Sequence, residues 1–377
     1  MNGFSWARLM AMLVKEFTQM RRDRLTFGMM IGIPLMQLVL FGFAINTDPK
    51  SLPTALRTAD NSAYARSLTA ALVNSEYFEI VAEAESEAEI DRLMAAGHVQ
   101  FAVTIPQNFA RDILRGKTPT LLVEADASDP VATGNAIAAL NQLPISGLRH
   151  DLKGATGNLA AGPPPFELVI HRRYNPETIT QYNIVPGLMG VVLTMTMVMI
   201  TGLAVTRERE RGTMENLLAM PVRPAEVMIG KILPYVGVGY VQSAVILLAA
   251  RWVFDVPMLG SLWLLSLALI LFMSANLAVG FTFSTIAKNQ LQAVQMTFFF
   301  FLPSILLSGF MFPFRGMPGW AQVLGEVLPL THFLRIVRGI LLKGSSWTEI
   351  APEAAAMTAF LVIATTFALK RYRQTLD

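Results

Sequence analysis

Few residues of this chain have the types and spacing needed to bind phosphate. Gly-Lys-Thr at 116–118 resembles the end of a phosphate-binding loop, but that pattern needs a glycine five positions before Gly116, where Arg111 stands. Gly-Lys at 230–231 is a second near-match, and it is followed by Ile232 instead of the hydroxyl residue that would hold magnesium. We therefore expect no ATP site of this kind in the chain.

The chain also lacks a pattern for metal binding or nucleophilic catalysis. It has 377 residues, four histidines and no cysteine. Without cysteine, a disulfide framework, a zinc–thiolate site, an iron–sulfur cluster and a thiol nucleophile are excluded. The histidines, at positions 98, 150, 171 and 332, have no ligand spacing, so we expect each to lie on the surface or to form hydrogen bonds in the core. We predict no catalytic residue, no metal site and no cofactor bound by this chain.

The composition indicates a membrane protein. Hydrophobic residues make up 53% of the chain and charged residues only 15%, with a mean hydropathy of +0.47. An average soluble domain has about 25% charged residues. The formal net charge is only +3 and is unevenly distributed, so it does not indicate nucleic-acid binding.

Six long runs contain no Asp, Glu, Lys, Arg or His. The first is long enough to cross a hydrocarbon core of about 30 Å as a helix that rises about 1.5 Å per residue. We predict six spanning helices, at residues 25–46, 184–206, 232–251, 256–286, 291–312 and 353–371. The first run is too long, and its exit too unlike a cleavage site, for a secretory signal peptide.

Basic residues predict the orientation of these spans. The N-terminal segment, the loop at 207–231 and the C-terminal end, with Lys370, Arg371 and Arg373, carry the Lys and Arg expected on the cytoplasmic side. The segment 47–183 has the opposite bias, with 16 acidic and 11 basic residues. We therefore predict a multi-pass protein of the bacterial inner (plasma) membrane, with both termini cytoplasmic and residues 47–183 outside.

Apolar residues in the first 24 positions recur at helical spacing and predict an amphipathic helix over 1–24. We interpret it as a helix lying in the inner membrane interface, and an ordinary packed helix is the alternative.

The segment 47–183 has the rhythm of a soluble α/β domain. Short β-like runs at 54–58, 77–82, 99–105, 120–124 and 167–172 alternate with helical stretches, which predicts a partly parallel sheet. Ser86 and Glu89 form a capping-box pattern at the start of one helix. Asp129 and Pro130 mark the start of another, interrupted near Pro144.

The charge-free runs within these spans contain no Asp, Glu, Lys, Arg or His, although ion-driven carriers usually keep such groups inside the bundle. Their absence argues against a secondary transporter and favours a separate motor protein. The loop at 206–231 is the sizeable candidate for docking that motor. Gly212 and Pro221 delimit a short helix in it, with Met214, Leu217 and Leu218 on one face. The alternative is an interfacial helix whose basic flanks only follow the positive-inside rule.

Two sets of motifs resemble those of ATP-binding-cassette type 2 (ABC-2) export permeases. One is Glu-Arg-Gly-Thr-Met-Glu at 210–215, followed by Leu-Leu at 217–218, Pro221, Glu226 and Gly-Lys at 230–231. The other is Leu-Pro-Ser at 302–304 with Ser-Gly-Phe at 308–310, Phe-Pro at 312–313, Met-Pro at 317–318, Pro329, Arg-Gly at 338–339 and Lys-Gly at 343–344. The amphipathic start, one span, the large external domain and five further spans are similar to the drug-exporter branch of that family.

This resemblance implies a fold, partners and site residues. The fold is that of a type 2 ABC exporter permease: a polytopic α-helical membrane protein with six transmembrane helices and an extracytoplasmic α/β domain. A second permease chain, identical or different, and two cytoplasmic ABC ATPase subunits are implied, and ATP and magnesium are used by the ATPase. Membrane lipid is a further partner, and a periplasmic adaptor is left open. The residues implied in ATPase coupling are Glu208, Glu210, Arg211, Gly212, Thr213, Met214, Glu215, Leu217, Leu218 and Pro221.

The resemblance also implies that residues 313–342 form a pair of short re-entrant helices on the outer side. The residues that mark this outer region are Ser308, Gly309, Pro313, Pro318, Pro329 and Arg338. Irregular backbone at membrane depth is tolerated where it packs on protein, which fits the Pro and Gly of this segment.

The predicted function is export of a lipophilic or amphipathic substrate, a drug-like compound or a lipid, because the walls of the spans are neutral. Candidate lining residues are Gln37, Thr194, Thr201, Gln292 and Gln295. The alternative for each is an ordinary interhelical hydrogen bond. Two other functions remain open: a mechanotransmitter that moves a periplasmic partner without transport, and a receptor that senses a ligand through the external domain.

Overall fold

The structure is a computed structural model that describes residues 48–153, 162–210 and 224–371, together with Met36 and Leu40. The predicted amphipathic helix, nearly all of the first predicted span, most of the 207–231 loop and the tail lie outside the described residues. The described chain consists of an α/β domain followed by a set of long helices.

The α/β domain is built on one mixed sheet of five strands in the order β2-β1-β3-β4-β5. The strands are β1 (Leu52–Thr58), β2 (Phe78–Glu83), β3 (Phe101–Ile105), β4 (Thr120–Asp126) and β5 (Glu167–Arg173). β1 runs parallel to both β2 and β3, β4 is antiparallel to β3, and β5 is parallel to β4. The sheet therefore contains all five strands that the sequence predicts and is partly parallel.

Local side chains determine where the helices of this domain begin. The helices are α1 (Ala63–Asn74), α2 (Glu87–Ala95), α3 (Phe109–Leu114), α4 (Pro130–Leu140) and α5 (Leu143–Ser146). Ser86 Oγ accepts a hydrogen bond from the Glu89 backbone N–H at 3.2 Å, so the N-cap forms as predicted. The Glu89 carboxylate binds the N–H of Glu85 instead of Ser86, so the second half of the capping box is shifted by one residue.

Both faces of the sheet are packed. Phe101, Phe109 and Phe166 belong to the larger core on one face, and each is at most 1% exposed. Ile90 and Met94 of α2 are fully buried on the other face. The domain thus has its own hydrophobic core, as expected of a unit that folds independently.

Long helices make up the rest of the chain. They are α6 (Thr180–Glu210), α7 (Pro224–Trp252), α8 (Leu262–Ile286), α9 (Gln290–Leu307), α10 (Gly319–Val327), α11 (Pro329–Arg338) and α12 (Trp347–Arg371), with a 3-10 turn at Phe314–Gly316 and a π-helical turn at Gly339–Lys343. α8 packs against both α6 and α12. The Phe272 ring of α8 stacks on the Phe333 ring of α11 at 4.1 Å between centroids, which places α11 against the same bundle.

Four described helices are long and apolar enough to cross a membrane: Thr180–Ala204, Leu262–Ile286, Gln290–Leu307 and Trp347–Lys370. The predicted third span, 232–251, falls within α7, which is continuous but is not one of these four. Nearly all of the predicted first span lies outside the described residues, so the count of six spans stays a prediction.

Several helix ends differ from the limits of the charge-free runs, because absence of charge does not specify backbone conformation. Helix α8 begins only at Leu262, where Ser261 caps it, so residues 256–261 are not helical. Helix α9 ends at Leu307, because Gly309 has a φ of 81° that a helix cannot continue. Helix α12 begins at Trp347, earlier than predicted.

Candidate functional site

Glu210 joins the end of α6 to the start of α9. Its Oε1 accepts a hydrogen bond from the Gln290 backbone N–H at 2.7 Å, and Oε2 accepts one from the Gln290 side-chain amide. These two bonds lower the pKa of Glu210 below its ordinary value, and the bond from the Gln290 backbone has the larger effect. Glu210 therefore holds, as a carboxylate, the turn that leads from α8 into α9. Sequence reasoning placed Glu210 in the coupling loop but did not identify this partner.

Only one of the other predicted coupling residues falls within the described ranges. Glu208 belongs to the backbone of α6, and the segment from Arg211 to Pro221 lies outside the described residues.

The predicted lining residues of α6 and α9 lie in helix contacts of this chain. Thr194 and Thr201 are at most 1% exposed, and their hydroxyls donate to Gly190 O at 2.8 Å and Met197 O at 2.6 Å, within the same helix. Gln292 is also buried, and its Oε1 accepts the Lys288 N–H at 2.8 Å at the start of α9. These contacts fit the alternative of structural hydrogen bonding, so the lining role of these residues stays a prediction.

Gln295 differs from the other predicted lining residues. Its Oε1 is buried and has no hydrogen-bond partner among the described residues. Gln37, the fifth predicted lining residue, lies outside the described residues.

Sequence reasoning missed two polar contacts between the long helices. Thr196 Oγ1 donates to Gln242 Oε1 at 3.0 Å and joins α6 to α7. The Tyr240 hydroxyl lies 2.7 Å from Ser266 Oγ and joins α7 to α8. Hydroxyl and amide side chains inside apolar runs were the available signal, but the sequence does not give their partners.

A cleft of about 1160 Å³ separates the α/β domain from the segment 308–353; we call it the interdomain cleft. Five basic and five acidic side chains line it: Arg92, Arg315, Arg335, Arg338, Lys343, Asp126, Asp129, Glu326, Glu349 and Glu353. The cleft therefore combines many charges in a molecule with few charged residues.

Lys343 connects the two sides of the interdomain cleft. Its Nζ lies 2.5 Å from Asp126 Oδ2, at the end of β4, and 5.0 Å from the centre of the Tyr174 ring. The side chains of Lys343 and Asp126 are 10% and 8% exposed, so the pair is nearly buried. Burial raises the pKa of Tyr174 most, and the negative charge of Asp126 raises it further, to about 12. The Tyr174 hydroxyl therefore stays neutral. The α/β domain is thus fixed to the π-helical turn that precedes α12.

A second polar cluster joins α10, α11 and α12. His332 Nδ1 bonds to the Glu353 carboxylate, and Nε2 lies 2.8 Å from Glu326 O. Both ring nitrogens face acceptors, which requires the protonated imidazolium. Burial lowers the pKa of His332, but the bonds to Glu353 and Glu326 outweigh it, so the net pKa is raised. Arg335 completes the cluster, 2.6 Å from Glu326 Oε1 and 3.2 Å from Glu353 Oε1.

The residues predicted to mark the outer region lie at breaks between helices. Ser308 follows the end of α9, Pro313 precedes the 3-10 turn, Pro318 precedes α10 and Pro329 is the first residue of α11. Arg338, the last residue of α11, donates to Gly309 O at 3.2 Å and to the Asn183 side-chain oxygen of α6. Thus Arg338 connects this region to α6. Over the described ranges, His, Asp and Glu form no group suited to a metal ion.

Comparisons with known proteins agree along nearly the whole chain. Residues 24–370 match the family model described as "ABC-2 family transporter protein". The chain is 31% identical over 345 residues to a probable multidrug ABC transporter permease, YbhS, of Escherichia coli K12, covering 90% of each chain. It is 29% identical over 351 residues to a second one, YbhR, covering 92% of this chain and 94% of that protein.

A solved domain of a putative ABC type-2 transporter from Thermotoga maritima aligns with 32% of this chain and 84% of its own, at 20% identity and a TM-score of 0.27. The match along residues 24–370 and the similarity to the two permeases agree in one assignment. This chain belongs to the ABC-2 family of membrane transporter proteins.

Proposed function

We propose that this chain is the permease subunit of an ATP-driven exporter in the bacterial inner membrane, and that a separate ABC ATPase hydrolyses ATP. The observation that carries this proposal is the match to the ABC-2 family along residues 24–370, which includes similarity to proteins named multidrug ABC transporter permeases. The chain supplies the passage, and the partner supplies the energy.

The neutral helices support a separate source of energy. The candidate spans at Thr180–Ala204, Leu262–Ile286 and Gln290–Leu307 contain no Asp, Glu, Lys or Arg. In Trp347–Lys370 these residue types occur only near the two ends, at Glu349, Glu353 and Lys370. A carrier driven by protons or sodium usually keeps ionisable groups deep in the bundle. The same neutrality favours a lipophilic or amphipathic substrate, a drug-like compound or a lipid, with Gln37, Thr194, Thr201, Gln292 and Gln295 as candidate lining residues.

Coupling to the ATPase would begin at the segment 208–221. In this proposal the short helix there contacts the ATPase through Met214 and Leu217, and Glu210 passes the movement of α6 to α9 through its two bonds to Gln290. Glu210 would therefore be a positioning residue, and residues 211–221 would provide the docking surface.

The proposed orientation places residues 47–183 outside the cell, both termini in the cytoplasm and residues 313–342 as re-entrant helices on the outer side. A second permease chain would complete the passage, and the external domain is the surface that a periplasmic adaptor would use. The lack of native cysteine makes the orientation testable. Asn74→Cys should react with an impermeant thiol reagent in spheroplasts, whereas Lys370→Cys should react only after permeabilisation. The reverse pattern would contradict this orientation.

Reconstitution with the cognate ATPase tests the function. Proteoliposomes should move an amphipathic dye in one direction on ATP, and a proton or sodium gradient alone should move none. If the dye stimulates ATP hydrolysis without crossing, the chain is a mechanotransmitter and the exporter proposal is wrong.

Variants of the loop test coupling. Glu215→Lys with Leu217→Ala should abolish transport while the ATPase retains its basal turnover. Glu210→Gln, which keeps one acceptor oxygen but removes the charge, should lower transport several-fold by loosening the bond to Gln290. Glu177→Gln, an exposed carboxylate of the α/β domain, is the matched control and should transport normally. Full transport in the Glu215–Leu217 double variant would refute the coupling assignment.

A further inference from the structure

The positive and negative charges of the interdomain cleft are not equally paired. Glu326 and Glu353 accept from Arg335, and Asp126 pairs with Lys343. The two other carboxylates of the cleft, those of Glu349 and Asp129, accept backbone N–H bonds from Ser346 and Ala132. Every carboxylate in the cleft therefore has a donor from this chain.

Arg338 is a cation of the cleft that has no carboxylate partner among the described residues. Its two hydrogen bonds go to neutral acceptors, Gly309 O and the Asn183 side chain, and its Nε is buried without a partner among the described residues. No carboxylate of the described chain lies within ion-pair distance of it. A guanidinium has five N–H donors. Two are used and the Nε–H is buried, so one N–H on each terminal nitrogen is left for another acceptor. Asp129 is the carboxylate whose charge acts on Arg338. Burial raises the pKa of Asp129, which favours the neutral form of this carboxyl group.

Arg315 adds a second unpaired cation to the same wall. It is exposed, lines the cleft and forms no ion pair within the described residues. The backbone at Gly309 brings Arg315 towards Arg338. The carbonyl oxygen of Gly309 accepts a hydrogen bond from Arg338, and a Cβ built on Gly309 would lie 3.2 Å from the Cβ of Phe314, the residue before Arg315. Two cations without carboxylate partners thus occupy one side of the cleft. Its volume of about 1160 Å³ exceeds the roughly 300–1,000 Å³ of typical ligand pockets.

Exposed tryptophans near the starts of three helices indicate where lipid headgroups would meet this part of the molecule. Trp263, Trp320 and Trp347, near the starts of α8, α10 and α12, are 73%, 43% and 57% exposed. Tryptophans with this exposure are typical of the interface between a membrane and water. Residues of the first turns of α12 line the cleft, among them Glu349 and Pro352. An amphiphile in the adjoining leaflet can therefore place its polar group in the cleft while its chains stay in the membrane.

We propose that the interdomain cleft binds the phosphate group of an anionic amphiphile, with Arg338 and Arg315 as the residues that hold it. Phosphate suits this pair, because arginine presents a planar fork of donors to its oxygens. This binding requires only the described chain and does not depend on the proposed export function. The shared chemistry is the phosphate, which either a lipid headgroup or a soluble phosphate can present.

Binding can be measured on the full chain purified in mild detergent, without any ATPase. Native mass spectrometry should detect more bound phosphatidylglycerol than phosphatidylcholine at equal concentration. Arg315→Gln should weaken phosphatidylglycerol binding roughly threefold to tenfold, and Arg338→Gln by more, because each removes a charge-assisted contact. Arg111→Gln removes an exposed arginine of α3 outside the cleft and should leave binding unchanged.

Two further arms complete the test. Arg338→Lys keeps the charge but loses the fork, so its binding should fall between those of the wild type and Arg338→Gln. Inorganic phosphate that displaces the lipid would identify the phosphate itself as the ligand, whereas lack of competition would identify the lipid headgroup. Equal binding of the two lipids would overturn the proposal. So would unchanged binding in Arg315→Gln, an exposed site whose substitution leaves the fold intact.

Discussion

The close approach of α6 and α8 at Gly280 predicts a substitution with a defined sign. A Cβ built on Gly280 would lie 2.4 Å from Val198 O and 2.0 Å from Thr201 Oγ1. Val198 O is a backbone atom, so turning a side chain cannot relieve that contact. We therefore expect Gly280→Ala to push the two helices apart.

The size of the effect follows from two opposing contributions. Overpacking a close helix contact costs about 1–3 kcal/mol. Replacing glycine by alanine inside a helix gains about 1 kcal/mol at most. Because the blocked atom is a backbone carbonyl, we expect the steric cost to lie at the upper end, for a net loss of about 1–2 kcal/mol in the free energy of unfolding.

Gly237 in α7 is the matched control. A Cβ built there meets nothing within 4 Å, so Gly237→Ala should show only the helix-propensity gain of roughly 0.5–1 kcal/mol. Gly239 provides an intermediate case, since its nearest neighbour is the flexible Met273 side chain. Thermal unfolding of the three variants in one detergent should lower the midpoint for Gly280→Ala, raise it for Gly237→Ala and change it little for Gly239→Ala. Equal shifts for Gly280→Ala and Gly237→Ala would refute the reasoning.

Three other contacts give predictions. Because the pKa of His332 is raised in the folded state, the protonated ring stabilises the fold fully at pH values below the ordinary histidine pKa. This stabilisation is lost as the pH rises from the ordinary value through the raised one. The wild type should therefore lose stability over that pH range, and His332→Gln should show a flatter dependence of stability on pH. Lys343→Met alone should cost about 3–5 kcal/mol by leaving Asp126 buried and unpaired, whereas Lys343→Met with Asp126→Leu should recover most of it in the same unfolding assay. Ser86→Ala should cost about 1 kcal/mol and lower hydrogen-exchange protection at the start of α2.

Each of these predictions has an outcome that contradicts it. A pH profile that is unchanged in His332→Gln would show that the imidazolium contributes nothing to stability. Non-recovery in the Lys343–Asp126 double variant would mean that the pair is needed for more than its charges. Equal protection of α2 in Ser86→Ala would show that its N-cap is dispensable.

Much of the architecture follows from the sequence alone. The apolar runs predict the four helices that are long and apolar enough to cross a membrane, and alternation with turn residues predicts all five strands of the sheet. The N-caps at Ser86 and Asp129 could be identified because a cap depends on residues within one turn. The ABC-2 motifs at 210–215 and 302–344 identified the family for the same reason: they are contiguous in the chain.

Only the tertiary structure determines the contacts between distant segments. The bond between Arg338 and Asn183 joins residues 155 positions apart, and the Lys343–Asp126 pair joins residues 217 positions apart. Helix periodicity shows which residues share a face but not which partner covers it, so Thr201 could be predicted as polar in a span but not as buried against Gly280. The pairing of charges in the interdomain cleft likewise depends on how the α/β domain lies on the helices, and no local pattern of residues specifies that arrangement.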